Sequence, residues 1–529
     1  MGMKKIKINQ VGFMPNSPKR FIIDEKPETM DFSVIKVDDV KEVVKYRGTL
    51  QEEITETGTG YVGHFNEVSE EGDYFIRCGK DNSRCFIIYN KAYAHLIRVM
   101  LSYFTYQRCG DDLGWAGKCH SDDGIIVETG ECVDLSGGYH QSCDLRKSPC
   151  GVSIGLYGMA RSAINDNTSA GKILFKDELM FACDYYLRLI SPEGIMRNTL
   201  SFPFGWEKRQ FFNSPAPASG QWCATRLLAL ASIIVPEKKD EYMSTALRSW
   251  EYLNSDRRSE GLYKHPAETP RGMDREEFFA LTYKDSIFDK AYKVCCAADF
   301  YRATKDEKWL EYVKEAQELD ARELSGISMY GYSVGAGMFF ALSDAAELCG
   351  ICMDKLKEAA DFLLLKVDED LWKRPVGRCA KNLFDIKMGD HSGAVTTLSD
   401  RVKDYEPLAE GYVYKRYDLK ALALPTHYGS NVGTFLEIAA NILEDEKYRK
   451  YSQYIADFFL GTNPMDASHV ESIGYNQPSK AVFGQFFPST PQIPGGVTVG
   501  FGTESVHSEY DMPCVGSFMW LFSEISKRK

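Results

Sequence analysis

Short runs of alternating apolar and polar residues fill the first 88 positions of the chain. Six of them read IKINQVGF, KRFIID, FSVIKV, YVGHFNEV, GDYFIRC and RCFIIY, with Pro, Asn and Gly between them. A period of two residues is typical of half-buried strands, and repeated short strands separated by turn residues favour a sandwich. The pattern predicts a small β-sandwich of immunoglobulin type over residues 1–88.

Apolar positions recur with the period of an α-helix from Lys91 onward. Twelve helices are predicted, at residues 91–108, 151–165, 174–190, 220–234, 241–254, 287–304, 307–320, 332–348, 353–366, 430–444, 446–460 and 514–526. Long segments rich in Gly, Pro and aromatic residues separate some of them, at 191–219, 255–286, 367–427 and 461–513. Loops this long in a compact domain are usually functional. The pattern favours an all-α (α/α)6 barrel over residues 89–529, with an irregular helical domain as the alternative.

The charge balance narrows the class of partner. The 529 residues carry 63 basic and 75 acidic side chains, a formal net charge of -12. Nucleic acids and anionic membranes both attract basic surfaces, so neither is an expected partner. No apolar run is long enough for a membrane span. A neutral glycan is compatible with this balance.

Two features favour a cytoplasmic location. The N-terminal stretch MGMKKIKINQVGF lacks the apolar run of a signal peptide, although a leader could have been removed. The 15 cysteines are an odd number scattered through a large chain. Such usage suits a reducing compartment and mostly free thiols.

Thiol and imidazole side chains concentrate between residues 109 and 140. Two thiolates and two imidazoles make a ligand set that structural zinc prefers in a tetrahedral site. The candidates are Cys109, Cys119, His120 and His140. Their spacing is not that of a zinc finger, and three further cysteines could replace a ligand: Cys132, Cys143 and Cys150. Scattered buried thiols and surface imidazoles are the alternative interpretation.

Longer motifs around these residues resemble glycoside hydrolase family 9. The segment YQRCG…CHSDD…DLSGGYHQSCDLRK is similar to the zinc-binding segment that leads into the family's Gly-Gly-Trp-His-Asp-Ala-Gly-Asp motif. KIKINQVGFMPNSPKRFII resembles the first strands of an immunoglobulin-like domain found in one branch of the family. HYGSNVGTFLEIAANILEDEKYRKYSQYIADFFLGTNPMDASHVESIG resembles its late helical hairpin and Gly-x-Asn-Pro turn, and PGGVTVGFG the Gly-rich loop that follows. Residues 190–420 match only in general pattern.

The resemblance implies a β-sandwich followed by an (α/α)6 barrel, and cleavage of β-linked glucans with inversion. It makes the four candidates at positions 109, 119, 120 and 140 the ligands of a structural zinc, with no organic cofactor. Inversion needs two carboxyl groups about 6.5–9.5 Å apart. Asp144 falls on the last Asp of the motif, the general base. Gln141 falls on its first Asp, which helps to hold the attacking water, and Cys143 replaces its Gly.

A glutamine keeps hydrogen-bonding capacity but carries no charge. We therefore expect Gln141 either to orient water still or to weaken the activity. The general acid should precede the last helix, where Glu509 aligns best, with Ser508 in place of the family's Asn. Glu504 and Asp511 are close alternatives for the acid. The family's His-His-Arg run is absent, so the preferred sugar is less well predicted than the reaction.

Aromatic side chains beside the long loops are candidates for stacking on sugar rings. We assign substrate binding to Trp206, Trp222, Tyr330, His427 and Tyr428. For each tryptophan and tyrosine, packing within the core or loop is the alternative. The resulting prediction is an inverting hydrolase of a β-glucan or gluco-oligosaccharide. Two rivals are an exo-acting β-glucosidase or glucosaminidase on the same scaffold, and a carbohydrate-binding pseudoenzyme in which Gln141 marks lost activity.

Overall fold

Two hydrophobic cores organise the part of the chain that the structure describes, one in the N-terminal β-rich part and a larger one among the helices. The computed structural model describes residues 5–55, 58–113, 118–120, 124–142, 145, 147–166, 169–200, 210–258, 284–326, 340–364, 373–376, 402–407, 413–417, 426–477, 492–498 and 510–528. Within these ranges no helix has both the length and the apolar character needed to cross a bilayer.

Two sheets form the N-terminal part. Their strands are β1 (Ile6–Lys7), β2 (Gly12–Phe13), β3 (Arg20–Ile23), β4 (Asp31–Asp38), β5 (Lys41–Thr49), β6 (Gln51–Thr55), β7 (Gly58–His64), β8 (Gly72–Cys78), β9 (Asp81–Asn82) and β10 (Phe86–Ile88). One sheet has the order β1-β3-β7-β6 and the other β2-β10-β8-β4-β5, with β9 paired to β8. Inward-facing rings fill the space between them, as where Phe21 of β3 meets Phe32 of β4 at a centroid distance of 4.9 Å. The sheets expected over this region are present.

Helices dominate the rest of the described chain. They are α1 (Ala94–Thr105), α2 (Pro149–Asn165), α3 (Ser169–Leu189), α4 (Ala218–Ile234), α5 (Lys239–Asn254), α6 (Ile287–Thr304), α7 (Lys308–Lys314), α8 (Ala321–Gly326), α9 (Phe340–Cys349), α10 (Met353–Leu364), α11 (Thr426–Leu443), α12 (Glu446–Asp457) and α13 (Met512–Ile525). Each predicted helix overlaps one of these, and α8 is additional. The helical period therefore located these elements well.

Six helices pack in succession around the larger core. α2 contacts α4, α4 contacts α6, α6 contacts α9, α9 contacts α11, α11 contacts α13, and α13 contacts α2. Other helices pack against members of this set, α5 against α4, α7 against α6, and α10 and α12 against α11.

Two small sheets lie partly in segments expected to be loops. The first has the order β11-β13-β12, from β11 (Ile125–Ile126), β12 (Arg197–Leu200) and β13 (Gln210–Pro215). The second has the order β14-β16-β15, from β14 (Lys373–Val376), β15 (Val402–Pro407) and β16 (Val413–Tyr417). All six strands are short, and those of the second sheet are rich in charged residues, so their sequences carry little strand signal.

The N-terminal part docks on the helical part through the residues around Gln10. Gln10 Nε2 donates to the carbonyl oxygen of Asp466 at 2.7 Å, and its Oε1 accepts from the Tyr475 N–H at 2.8 Å. Gly461, in the Gly-x-Asn-Pro turn, has a φ of 146° and approaches the Ile8 carbonyl so closely that a side chain would collide with it. The loop after α12 is thereby held against the sandwich.

Candidate active site and metal centre

Two short segments pair beside α3 and carry the predicted metal ligands. Arg108 forms an antiparallel bridge with Tyr139, and the His140 N–H donates to the Gln107 carbonyl at 2.8 Å. This pairing brings Cys109 and His140, which lie at the two ends of one short stretch of sequence, together.

The four predicted ligands form one cluster, called the metal cluster below. It consists of Cys109, Cys119, His120 and His140, whose ligand atoms all lie within 4.8 Å of one another. Cys119 Sγ lies 3.0 Å from His140 Nε2, and Cys109 Sγ lies 3.8 Å from His120 Nδ1. Tetrahedral zinc bonds of about 2.0–2.3 Å would place ligand atoms about 3.3–3.8 Å apart. The cluster therefore fits an ion of this kind.

The protonation state of Cys119 also favours metal binding. A hydrogen bond from Cys109, with further ones from His120 and His140, lowers the pKa of Cys119 to about 2. The Cys119 sulfur is thus held as a thiolate, the form in which cysteine binds metals.

Glu178 of α3 anchors both cluster-bearing segments. Its buried carboxylate accepts from Arg108 Nε at 3.0 Å and Nη2 at 2.9 Å, a two-pronged ion pair. It also accepts from the hydroxyls of Tyr139 and Thr105, each at 2.7 Å. One carboxylate therefore ties the chain on both sides of the pairing to the same helix.

The residues after the metal cluster contact the start of α13. Ser142 forms an antiparallel bridge with Asp511, and the Met512 N–H donates to the Gln141 carbonyl at 2.9 Å. The Gln141 side chain donates from Nε2 to Asp511 Oδ1 at 3.3 Å. Both of these side chains are buried. The position predicted to orient water is therefore joined to the segment predicted to carry the acid.

Close packing of α2 and α13 aligns these segments. A Cβ added at Gly516 would overlap the Gly155 carbonyl, and one added at Gly158 would overlap the Gly516 carbonyl. The two helix backbones are in contact because no side chain separates them. α2 begins soon after Ser142 and α13 begins directly after Asp511, so the crossing of the two helices sets how the segments that carry Ser142 and Asp511 meet.

Buried hydrogen bonds join the segment before α13 to the loop after α12. Tyr510 donates to Glu471 Oε2 at 2.7 Å and forms an antiparallel bridge with Thr498. Thr498 Oγ1 lies 3.1 Å from His469 Nδ1. Burial lowers the pKa of His469 to about 4, so this imidazole is neutral at pH 7.

Comparison with known families decides the class of this protein. The model of glycosyl hydrolase family 9 matches residues 93–482, and that of the cellulase N-terminal ig-like domain matches residues 2–83. The chain belongs to glycosyl hydrolase family 9. It is an O-glycosyl hydrolase with an N-terminal immunoglobulin-like domain, as the sequence motifs predicted.

Two relatives and one solved structure illustrate the likeness. The cellodextrinase of Butyrivibrio fibrisolvens is 29% identical over 518 residues, which cover 89% of this chain and 85% of the relative. Endoglucanase D of Acetivibrio thermocellus is 25% identical over 419 residues, 70% of this chain and 64% of that protein. A thermostable endoglucanase mutant from Alicyclobacillus acidocaldarius shares the fold, with a TM-score of 0.69, 14% identity, and coverage of 99% of this chain and 100% of that one.

The structure describes only part of the predicted family 9 site. The metal cluster and Gln141 are described and lie next to each other. The predicted base, the predicted acid, an alternative acid and two aromatic residues lie outside the described residues: Asp144, Glu509, Glu504, Trp206 and Tyr330. His427 and Tyr428 lie in the first turn of α11.

Trp222 requires a correction. Its side chain is 1% exposed, its Nε1 donates to Asp289 Oδ1 at 2.8 Å, and its ring packs edge-on against Trp250. A ring enclosed by the core offers no face to a sugar, so Trp222 has the packing role that was the alternative to substrate binding.

Sequence reasoning missed two residues that position the site, Glu178 and Glu471. Each acts on an element far away in the sequence, so no local motif marks it. For Glu178 the available signal was Arg108, which lies next to the metal ligand Cys109. A largely buried guanidinium needs an anionic partner, and Glu178 is that partner.

Proposed function

We propose that this family 9 enzyme hydrolyses β-1,4-linked glucans and cello-oligosaccharides with inversion, using Asp144 as general base and Glu509 as general acid. The contact between Ser142 and Asp511 carries the proposal. Asp144 follows Ser142 by two residues and Glu509 precedes Asp511 by two. Each is thus within about 8 Å of the bridge along its own chain. These short tethers to one bridge support the pairing of the two carboxyl groups.

The proposed reaction is a single displacement. Asp144 takes a proton from a water molecule, whose oxygen bonds to the anomeric carbon as the glycosidic bond breaks. Glu509 gives its proton to the departing glycosidic oxygen, so the sugar released has inverted configuration. Gln141 orients the water by hydrogen bonding.

We propose zinc as the ion of the metal cluster, with a structural role. Two thiolates and two imidazoles match its preference, and four protein ligands leave no position for a reacting water. The ion would hold together the paired segments that lead into Gln141, and the chain needs no organic cofactor.

We also infer that the six helices in mutual succession form the inner ring of an (α/α)6 barrel. The contacts of α2, α4, α6, α9, α11 and α13 support this arrangement. The barrel would span residues 89–529, after a sandwich at 1–88.

Short oligosaccharides are the substrates we favour. The Butyrivibrio fibrisolvens relative at 29% identity carries the name cellodextrinase. No observation specifically favours an exo-acting glucosidase or glucosaminidase, or a pseudoenzyme.

The test is reducing-sugar release from a panel of β-glucans and cello-oligosaccharides by the wild type, Asp144→Asn and Glu509→Gln. We expect activity in the wild type and losses of about 10²–10⁴-fold in each variant, as for removal of a general acid or base. Asp445→Asn, at the N-cap of α12, is the matched carboxylate-to-amide control. Wild-type rates in either site variant would remove that residue from the mechanism, and glycan binding without hydrolysis by the wild type would favour the pseudoenzyme.

A further inference from the structure

Asp511 lies at the N-cap of α13 without acting as a cap. An aspartate at this position usually accepts from a backbone N–H of the first turn. Asp445 does so at the start of α12, where it accepts from the Lys447 N–H at 2.9 Å. The Asp511 side chain makes no capping hydrogen bond and instead accepts from Gln141 Nε2. Its carboxylate is buried, with 1% of the residue exposed.

This contact determines the orientation of the Gln141 amide. Gln141 Nε2 donates to Asp511 Oδ1, so the amide NH₂ faces Asp511 and Oε1 faces away. Oε1 lies over the first turn of α2, where a Cβ added at Gly151 would come within 2.6 Å of it. A glycine at this position therefore leaves room for the amide in its fixed orientation.

The same contact restores a negative charge beside position 141. The family resemblance places an aspartate there, and this chain has an uncharged amide. The Asp511 carboxylate lies at hydrogen-bond distance from that amide, 3.3 Å, and the Ser142 bridge and the Met512 N–H hold the two segments together. The pair carries the charge of a single carboxylate.

We propose that Asp511 is a positioning residue of the hydrolytic site, which holds Gln141 Oε1 as the acceptor for the attacking water and supplies the charge that position 141 lacks. This role rests on the proposed function. A water that donates one proton to Oε1 keeps its other proton for Asp144 and a lone pair for the anomeric carbon.

The test compares Asp511→Asn with the charge-transposed double variant Asp511→Asn/Gln141→Asp. In the single variant the amide can flip and the charge is lost, so we expect kcat to fall about 10- to 100-fold, the scale of a misplaced catalytic group. KM and metal content should change little. The double variant returns a carboxylate to position 141 and should recover most of the loss, and Asp445→Asn should keep the wild-type kcat.

Gln141→Met breaks the same hydrogen bond without touching the helix N-cap, and should lower kcat to a similar extent even where Asp511→Asn does not fold. Wild-type kcat in both single variants, or a double variant no better than Asp511→Asn, would overturn the proposal. A loss in Asp511→Asn as deep as in Asp144→Asn, with Glu509→Gln still active, would make Asp511 the acid and overturn it too. Full activity of both Asp144→Asn and Glu509→Gln would instead overturn the proposed function, and this role with it.

Discussion

Glu178 offers a direct way to loosen the metal cluster without touching a ligand. Glu178→Ala removes the acceptor of hydrogen bonds from Arg108, Tyr139 and Thr105. Breaking a buried ion pair from one side costs about 3–5 kcal/mol. The Arg108 side chain keeps 20% exposure, so water compensates part of this loss. We therefore expect a stability loss near the low end, about 3 kcal/mol.

The assay is the rate of zinc release to a chromogenic chelator, measured alongside the melting temperature. Loss of a direct partner of a metal ligand typically costs about 10–100-fold in affinity. Glu178 contacts the residues next to two ligands, so zinc release from Glu178→Ala should accelerate by at most that factor. Glu178→Gln keeps the shape and one acceptor oxygen, and should lie between the alanine variant and the wild type.

Glu358→Gln is the matched control, because Glu358 forms an exposed ion pair with Arg322 at 2.8 Å. Surface pairs of this kind contribute about 0–1 kcal/mol, so neither readout should change. Wild-type zinc release together with a wild-type melting temperature in Glu178→Ala would refute the anchoring role of this carboxylate.

Three further predictions concern packing, pH and the metal. Gly516→Ala should lower both the melting temperature and the activity, because its methyl group would overlap the Gly155 carbonyl. Gly433→Ala is the control and should have a milder effect, because its methyl group would meet only side-chain atoms. Equal effects of the two substitutions would contradict the backbone contact. The free energy of unfolding should fall as the pH drops from 6.5 towards 4, because the imidazole of His469 binds a proton in the unfolded chain but stays neutral when buried in the folded one. This loss of stability is at most about 3 kcal/mol. His469→Gln should flatten that part of the melting profile, and an unchanged slope would refute the assignment. Cys119→Ser should lose most bound zinc by elemental analysis, and full zinc content would exclude this ligand.

The sequence pattern predicted the helices, whose formation depends mainly on residues that are close together in the sequence. Helix positions follow from a period of 3.6 residues, and each predicted helix overlaps a described one. The small sheets formed by β11–β16 were not predicted, because their strands are short and gain stability mainly from pairing with one another.

The residues of the candidate site likewise fall into those that the sequence predicted and those that it did not. The metal ligands could be predicted because their chemistry is specific and they lie within one short stretch of sequence. Glu178 and the contact of Gln141 with Asp511 could not, since the latter joins residues 370 positions apart. Such contacts are set by helix packing, here the glycine crossing of α2 and α13, which leaves no local trace in either segment.

Inversion through the paired carboxyl groups is the central claim, and the stereochemistry of the first product tests it most directly. Hydrolysis of a cello-oligosaccharide can be followed by proton NMR of the anomeric signals before mutarotation. We predict that the α-anomer appears first, and that Asp144→Asn and Glu509→Gln abolish its formation. Initial release of the β-anomer would contradict single displacement by this pair.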